Sequence, residues 1–219
     1  MGNLIKTVLF DLDGTLIDTN NLILTSFQYT LDHYYPGKFT RKDLIPFIGE
    51  SLETSFNRIS PKLTNEMISM YRDHNSRFHD RLVKEFPYVR ETLTVLKEDG
   101  CKLGVVSTKT RDMVERGLHL TRMADFFETV ITSNDVTRLK PDPEPVVRAM
   151  NDLAAQKETT IMVGDSPADI LAGENAHVRT AAVGWSLKGR TMLERLNPDY
   201  LLNNMKDLLS IVRSTEVTI

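Results

Sequence analysis

Asp11 and Asp13 stand one residue apart in the run Asp11-Leu12-Asp13-Gly14-Thr15, directly after a short apolar stretch. Two carboxylates at that spacing can divide a group transfer between them. One attacks as a nucleophile, while the other gives a proton to the leaving group and takes one from water. Such a pair repels itself and any anionic substrate, so it calls for a divalent cation. An Asp-Gly turn after a strand produces the same residues for conformational reasons alone. A second acidic run, Gly164-Asp165-Ser166-Pro167-Ala168-Asp169, also follows an apolar stretch. Asp165 is placed to ligate a metal, and hard oxygen donors suit Mg²⁺ better than zinc. Ser166 as N-cap, Pro167 at the first helical position and Asp169 at the third make a sound helix start by themselves. Asp169 therefore reads as a cap as much as a ligand.

Two further groups have phosphate chemistry within reach. Ser107-Thr108-Lys109 lies between an apolar run and a helical pattern that begins near Arg111, so hydroxyls and backbone N–H groups there can hold phosphate oxygens. A plain N-cap is an equal reading of Ser107. Lys140 precedes Pro141, which favours extended backbone and can aim the ammonium at Asp11. Taken alone, Lys140 would be a solvated surface residue. Further cations gather between residues 41 and 84: Arg41, Lys42, Arg58 and Lys62, then Arg72, Arg77, His79, Arg81 and Lys84. Most belong to solvated helix faces, and one or two are expected to reach a distal phosphate. Their order does not say which.

These groups need a scaffold that gathers them. The runs Thr7–Phe10, Leu103–Val106, Thr129–Thr132 and Thr160–Val163 predict strands, with Arg179–Val183 a weaker fifth. Helical spacing over Val89–Lys97, Asp112–Leu120, Glu144–Leu153 and Pro167–Ala176 alternates with them. That is the pattern of an α/β fold with a doubly wound parallel sheet, in which ligands bind at the carboxyl ends of the strands. Each candidate group sits at such an end. Residues 18–82 break the alternation with helical patterns only, such as Ile23, Phe27, Leu31 and Tyr34 on one face. They read as an all-helical domain inserted after the first strand, leaving 1–17 and 83–219 as the core. A helix around Met205–Val212 and a loose tail from about Ser214 to Ile219 close the chain.

Composition narrows the partners. The 219 residues are 26% charged and 41% hydrophobic, with a formal net charge of −3, which supplies no broad basic field for nucleic acid. Cys101 is the only cysteine, so no intrachain disulfide can form, and a reducing cytoplasm fits. No apolar stretch suits membrane spanning or a signal peptide. Gly2 opens a partial N-myristoylation match that Lys6 breaks.

With these motifs in this order, the chain resembles the haloacid dehalogenase superfamily of phosphotransferases over its whole length, including the helical cap that one subclass inserts after the first motif. The resemblance implies a Rossmann-like core, Asp11 as nucleophile, Asp13 as acid and base, and Lys140 as charge stabiliser. It implies Ser107, Thr108 and Thr15 for substrate binding. Mg²⁺ is to be held by Asp11, Asp165, Asp169 and Asp13, the last through its backbone carbonyl. Asp13 argues against the dehalogenase branch, which lacks this second acid. Stretches such as LIDTN, FIGESL, KPDPEPV and WSLKG are similar to the superfamily's bacterial pyrophosphatases. They imply pyrophosphate as substrate, a role in clearing the pyrophosphate formed when phosphorylated HPr protein is dephosphorylated, and a monomer or weak homodimer. The alternatives are a phosphatase for phosphoglycolate or another small organic phosphate, a mutase of the β-phosphoglucomutase type, and a non-catalytic regulator. Ser107-Thr108 departs from the Thr-Asn pair common in phosphoglycolate phosphatases.

Overall fold

A computed structural model describes residues 4–214. The readings of Gly2 and of nearly all of the C-terminal tail fall outside them. The elements run β1 (Thr7–Phe10), β2 (Ile17–Asp18), α1 (Asn20–Tyr34), α2 (Arg41–Leu44), α3 (Leu52–Ile59), α4 (Thr64–Leu82) and β3 (Lys84–Glu85). They continue through α5 (Val89–Glu98), β4 (Lys102–Val106), α6 (Arg111–Leu120), β5 (Thr129–Ile131), α7 (Glu144–Asp152) and β6 (Thr160–Gly164). The chain ends with α8 (Pro167–Asn175), β7 (Arg179–Val183), α9 (Arg190–Glu194), β8 (Tyr200–Leu202) and α10 (Asp207–Arg213).

Six strands form one parallel sheet in the order β5-β4-β1-β6-β7-β8. β1 lies between β4 and β6, with Leu9 opposite both Gly104 and Met162. Successive side chains of a strand point to opposite faces, and the core divides accordingly. Val8 and Phe10 pack with Leu93 of α5, Val114 of α6 and Leu208 of α10. Leu9 turns to the other face, against Val146 and Ala149 of α7 and Ala172 of α8. Both faces are covered, which is why β1 is apolar at every position after Thr7 instead of alternating.

The chain leaves and re-enters this core through a two-stranded antiparallel ribbon, Ile17 opposite Glu85 and Asp18 opposite Lys84. The Asp18 carboxylate accepts the Asn20 N–H as the first helix of the insertion begins. Between the ribbon strands lie α1 to α4, with a core of their own in which Phe27 is 1% exposed. Its ring stands 5.3 Å from Phe47, 5.2 Å from Phe56 and 4.7 Å from Tyr71.

Candidate active site

The aspartate pair is set at the sheet edge by a hydrogen bond and a glycine. The Asp11 N–H donates to the Val163 carbonyl, carrying the β1–β6 ladder one residue past the strand. Gly14 then turns the chain with φ +82°, and a Cβ there would lie 2.4 Å from Asp165 Oδ2. Only glycine combines that dihedral with so close an approach. At the end of β6, Gly164 is required by close approach alone, since a Cβ there would meet that of Asp169 at 2.2 Å.

Lys140 reaches this edge from the segment before α7, and its side chain is 2% exposed. Its Nζ donates to Asp11 Oδ1 at 2.7 Å, Asp169 Oδ1 at 2.6 Å and the Val106 carbonyl at 2.7 Å. Three acceptors match the three protons of an ammonium. Burial works against that charge, but the two carboxylates outweigh it and hold Lys140 above the ordinary lysine range. The Lys140-Pro141 peptide is cis. Asp142 then supports the start of α7, its carboxylate accepting the Glu144 N–H at 2.9 Å.

Asp169 caps α8 and also pairs with Lys140. Its Oδ2 accepts from the Ser166 N–H at 3.0 Å and the Ser166 hydroxyl at 2.6 Å, completing a capping box, while Oδ1 takes Lys140. Asp165, 1% exposed, is different: both carboxylate oxygens are buried and neither has a partner among the described residues. Burial first, then the Asp11 and Asp169 charges, push its carboxyl well above the ordinary range. Burial likewise pushes Asp11 up to about 7 against the pull of Lys140, with Asp169 and Asp13 adding to the rise. Asp11, Asp165 and Asp169 each offer an oxygen, all within 4.8 Å of one another. Three carboxylates sharing one lysine leave negative charge uncompensated, and the bare oxygens of Asp165 fit a hard divalent cation.

The Asp13 carboxylate lies outside that group. Its Oδ1 accepts from Lys109 Nζ at 2.6 Å, an ion pair from beyond the end of β4 that the neighbouring hydroxyls of Ser107 and Thr108 overshadow in the sequence. Ser107 is buried, and its Oγ accepts the Lys109 N–H at 3.2 Å. It is not the cap of α6, because Thr110 holds that position. Thr108 lines the cleft above the aspartates, whereas Thr15 is fully buried, its hydroxyl unpartnered among the described residues.

The cleft encloses about 600 Å³, with Asp11 and Asp13 among its core-side residues and Phe27, Tyr71 and Arg72 among those of the insertion. Of the insertion's basic residues, Arg72 alone lines it. Arg77 is tied to Asp73 at 2.9 Å, Arg58 to Glu50 at 3.0 Å, and His79 is buried against Asp80. Further links between insertion and core have no counterpart in the sequence patterns: Lys188 Nζ donates to the Pro46 carbonyl at 3.2 Å, and Arg116 of α6 donates to the Asp80 carboxylate at 2.8 Å.

Comparison with known proteins places the chain in a family. The chain is 50% identical over 208 residues to pyrophosphatase PpaX of Bacillus mycoides, covering 95% of this chain and 97% of that one. It is 51% identical over 211 residues to PpaX of Anoxybacillus flavithermus, covering 96% and 98%. Among solved structures, a haloacid dehalogenase-like hydrolase from Bacteroides fragilis superposes with a TM-score of 0.87 at 27% identity, covering 93% of this chain and 99% of that one. A haloacid dehalogenase-like family protein from Streptococcus pneumoniae shares the fold with a TM-score of 0.85 at 24% identity, covering 94% and 97%. The family model for haloacid dehalogenase-like hydrolases matches residues 8–183. That match spans the sheet from β1 to β7 together with the helical insertion, and the chain belongs to the haloacid dehalogenase-like hydrolase family.

Proposed function

We propose that this protein hydrolyses inorganic pyrophosphate to phosphate in two stages, with Mg²⁺ held at the aspartate cluster. The observation that carries the chemistry is the Lys140 ammonium clamped by Asp11 and Asp169 beside the unpartnered carboxylate of Asp165. The choice of pyrophosphate rests on likeness, since half of the residues are identical to those of proteins named pyrophosphatase PpaX.

In the first stage an Asp11 oxygen bonds to phosphorus, the bridging P–O bond breaks, and Asp13 gives its proton to the departing phosphate. In the second, Asp13 takes a proton from water as its oxygen attacks the aspartyl-phosphate, freeing phosphate and restoring Asp11. Lys140 holds Asp11 in line and offsets charge on the transferring group. Ser107 and Thr108 supply hydroxyls at the end of β4. Asp165, Asp11, Asp169 and the Asp13 carbonyl form the cation site, and Mg²⁺ bound there supplies charge that neutralises the phosphoryl oxygens. Residues 18–82 act as a cap over the core formed by 1–17 and 83–219, excluding bulk water and selecting the leaving group. The setting we infer is a reducing cytoplasm, where the enzyme removes pyrophosphate released on dephosphorylation of phosphorylated HPr.

One observation favours a second reading. A cleft of about 600 Å³ is far roomier than pyrophosphate needs, and it would admit a small organic phosphate. A kinetic panel with Mg²⁺ separates the two, using pyrophosphate, phosphoglycolate, β-glucose 1-phosphate and a nucleoside monophosphate. We expect pyrophosphate to give the highest kcat/KM. An organic phosphate ranking well above it rejects the assignment, and an isomer formed from β-glucose 1-phosphate without free phosphate would mark a mutase.

A further inference from the structure

Two Lys or Arg side chains line the cleft among the described residues, and they come from opposite walls. Lys109 rises from the loop after β4 and is committed to Asp13 at 2.6 Å. Arg72 projects from the middle of α4, is exposed, and has no hydrogen-bond or ion-pair partner among the described residues. Beside it, Tyr71 is 6% exposed. Its hydroxyl oxygen accepts from Asn75 Nδ2 at 3.3 Å, and its own proton has no acceptor among the described residues. Burial first, and then the Asp13 carboxylate, push that hydroxyl above its ordinary range, so Tyr71 lies within electrostatic reach of Asp13. The stretch of α4 that overlooks Asp13 thus offers a free O–H donor and a free guanidinium.

This geometry bears on the leaving group. In the proposed reaction Asp13 hands its proton to the bridging oxygen, so the departing group must lie within hydrogen-bond reach of Asp13, in the space between Asp13 and α4. The transferring phosphoryl group already has Lys140 at Asp11. We propose that Arg72 binds the leaving phosphate from the cap side, opposite Lys109, and is the residue that makes the enzyme prefer an anionic leaving group. The inference rests on the pyrophosphatase reading and adds to it the residue that selects the second phosphate. A guanidinium suits the task because its planar fork pairs with two phosphate oxygens at once.

The cleft is also lined by carboxylates outside the aspartate cluster. Glu50 is engaged by Arg58 at 3.0 Å, but Glu53 and Asp112 have no partner among the described residues. If Arg72 only neutralised one of these, its removal would leave substrate preference where it was.

The test measures kcat/KM with Mg²⁺ for pyrophosphate and for p-nitrophenyl phosphate, whose leaving group carries no charge before cleavage, in wild type, Arg72→Gln and Arg72→Lys. The position is exposed, so both variants should fold, which circular dichroism checks. We expect the pyrophosphate to p-nitrophenyl phosphate ratio to fall on the order of 100-fold in Arg72→Gln, the size of a lost charge-assisted phosphate contact. Arg72→Lys should restore part of it. A ratio that stays within about 10-fold of wild type in Arg72→Gln overturns the inference, whether the two activities persist or fall together, since a tenfold change is the least that a lost ionic contact of about 1.4 kcal/mol would give. A wild type that does not hydrolyse pyrophosphate overturns the substrate assignment itself and this inference with it. The two failures are told apart by the wild-type data alone.

Discussion

Asp169 and Lys140 meet at 2.6 Å with both side chains 2% exposed, and the other Asp169 oxygen is spent on Ser166 at the start of α8. One carboxylate therefore fixes a helix terminus and a buried cation together. Removing one partner of a buried pair leaves the other charge poorly compensated. Because Lys140 keeps Asp11, we expect Asp169→Ala to cost about 3 kcal/mol, at the low end for such losses. Asp169→Asn should cost less, since its amide oxygen can still cap. Urea unfolding of both variants measures this, and a loss below about 1 kcal/mol in Asp169→Ala would mean that the pair is not structural.

Asp11→Asn keeps the size of the side chain and an oxygen for Lys140 but removes the nucleophile. Turnover should fall by at least about 1000-fold while the circular dichroism spectrum is unchanged. Retained wild-type turnover would end the covalent mechanism.

Among the described residues the Asp165 carboxylate has no hydrogen-bond partner to lose, so Asp165→Asn separates folding from metal binding. In wild type, Mg²⁺ at about 100 times its Kd should stabilise the fold by about 2.7 kcal/mol, read as a rise in Tm. Asp165→Asn should abolish that rise without lowering the Tm of the metal-free protein. An equal Mg²⁺ shift in both proteins would move the cation site elsewhere.

Glu144 gives a dependence on pH remote from the chemistry. Its carboxylate accepts the N–H groups of Thr137 at 2.8 Å and Arg138 at 2.9 Å, and these with the Thr137 hydroxyl lower it to about 2 from an ordinary 4.5. A carboxyl depressed in the folded state adds stability above its unfolded value and loses that stability as pH falls towards the folded one. Glu144→Gln should therefore be less stable than wild type at about pH 6, with the difference closing between pH 4.5 and about 2. A difference that stays constant across that window would show that the ionised form is not what matters.

Much of the scaffold could be read from the chain because the central strands are covered on both faces and so are apolar along their length. β1 and β7 have the bounds that their runs predict, and β4 and β6 differ by one residue at an end. Thr132 falls outside β5 because its N–H and hydroxyl turn to the Asp135 carboxylate. β8 escaped notice since it is three residues long and only Leu202 is buried. The ribbon of β2 and β3 has two residues per strand, too few for any periodicity to register. At the site, Asp11, Asp165 and Lys140 announced themselves by standing at strand ends or before a proline. Lys109 did not: nothing in Ser107-Thr108-Lys109 says that its ammonium crosses to Asp13, a contact made 96 positions away in the chain. Arg72 and Arg77 look alike in sequence, and only the placement of α4 over the cleft, with Asp73 claiming Arg77, tells them apart.

The pairing of β2 with β3 brings the two covalent connections of the helical insertion side by side on the core. Whatever lies between Asp18 and Lys84 can lengthen, shrink or be exchanged while its attachment stays the same width. If the insertion selects the leaving group as proposed, mutations there would retune which molecule is admitted without touching Asp11, Asp165 or Lys140. On that reading, selection or an engineer could trade one specificity for another as a cassette, provided the contacts of Lys188 and Arg116 with the insertion are kept.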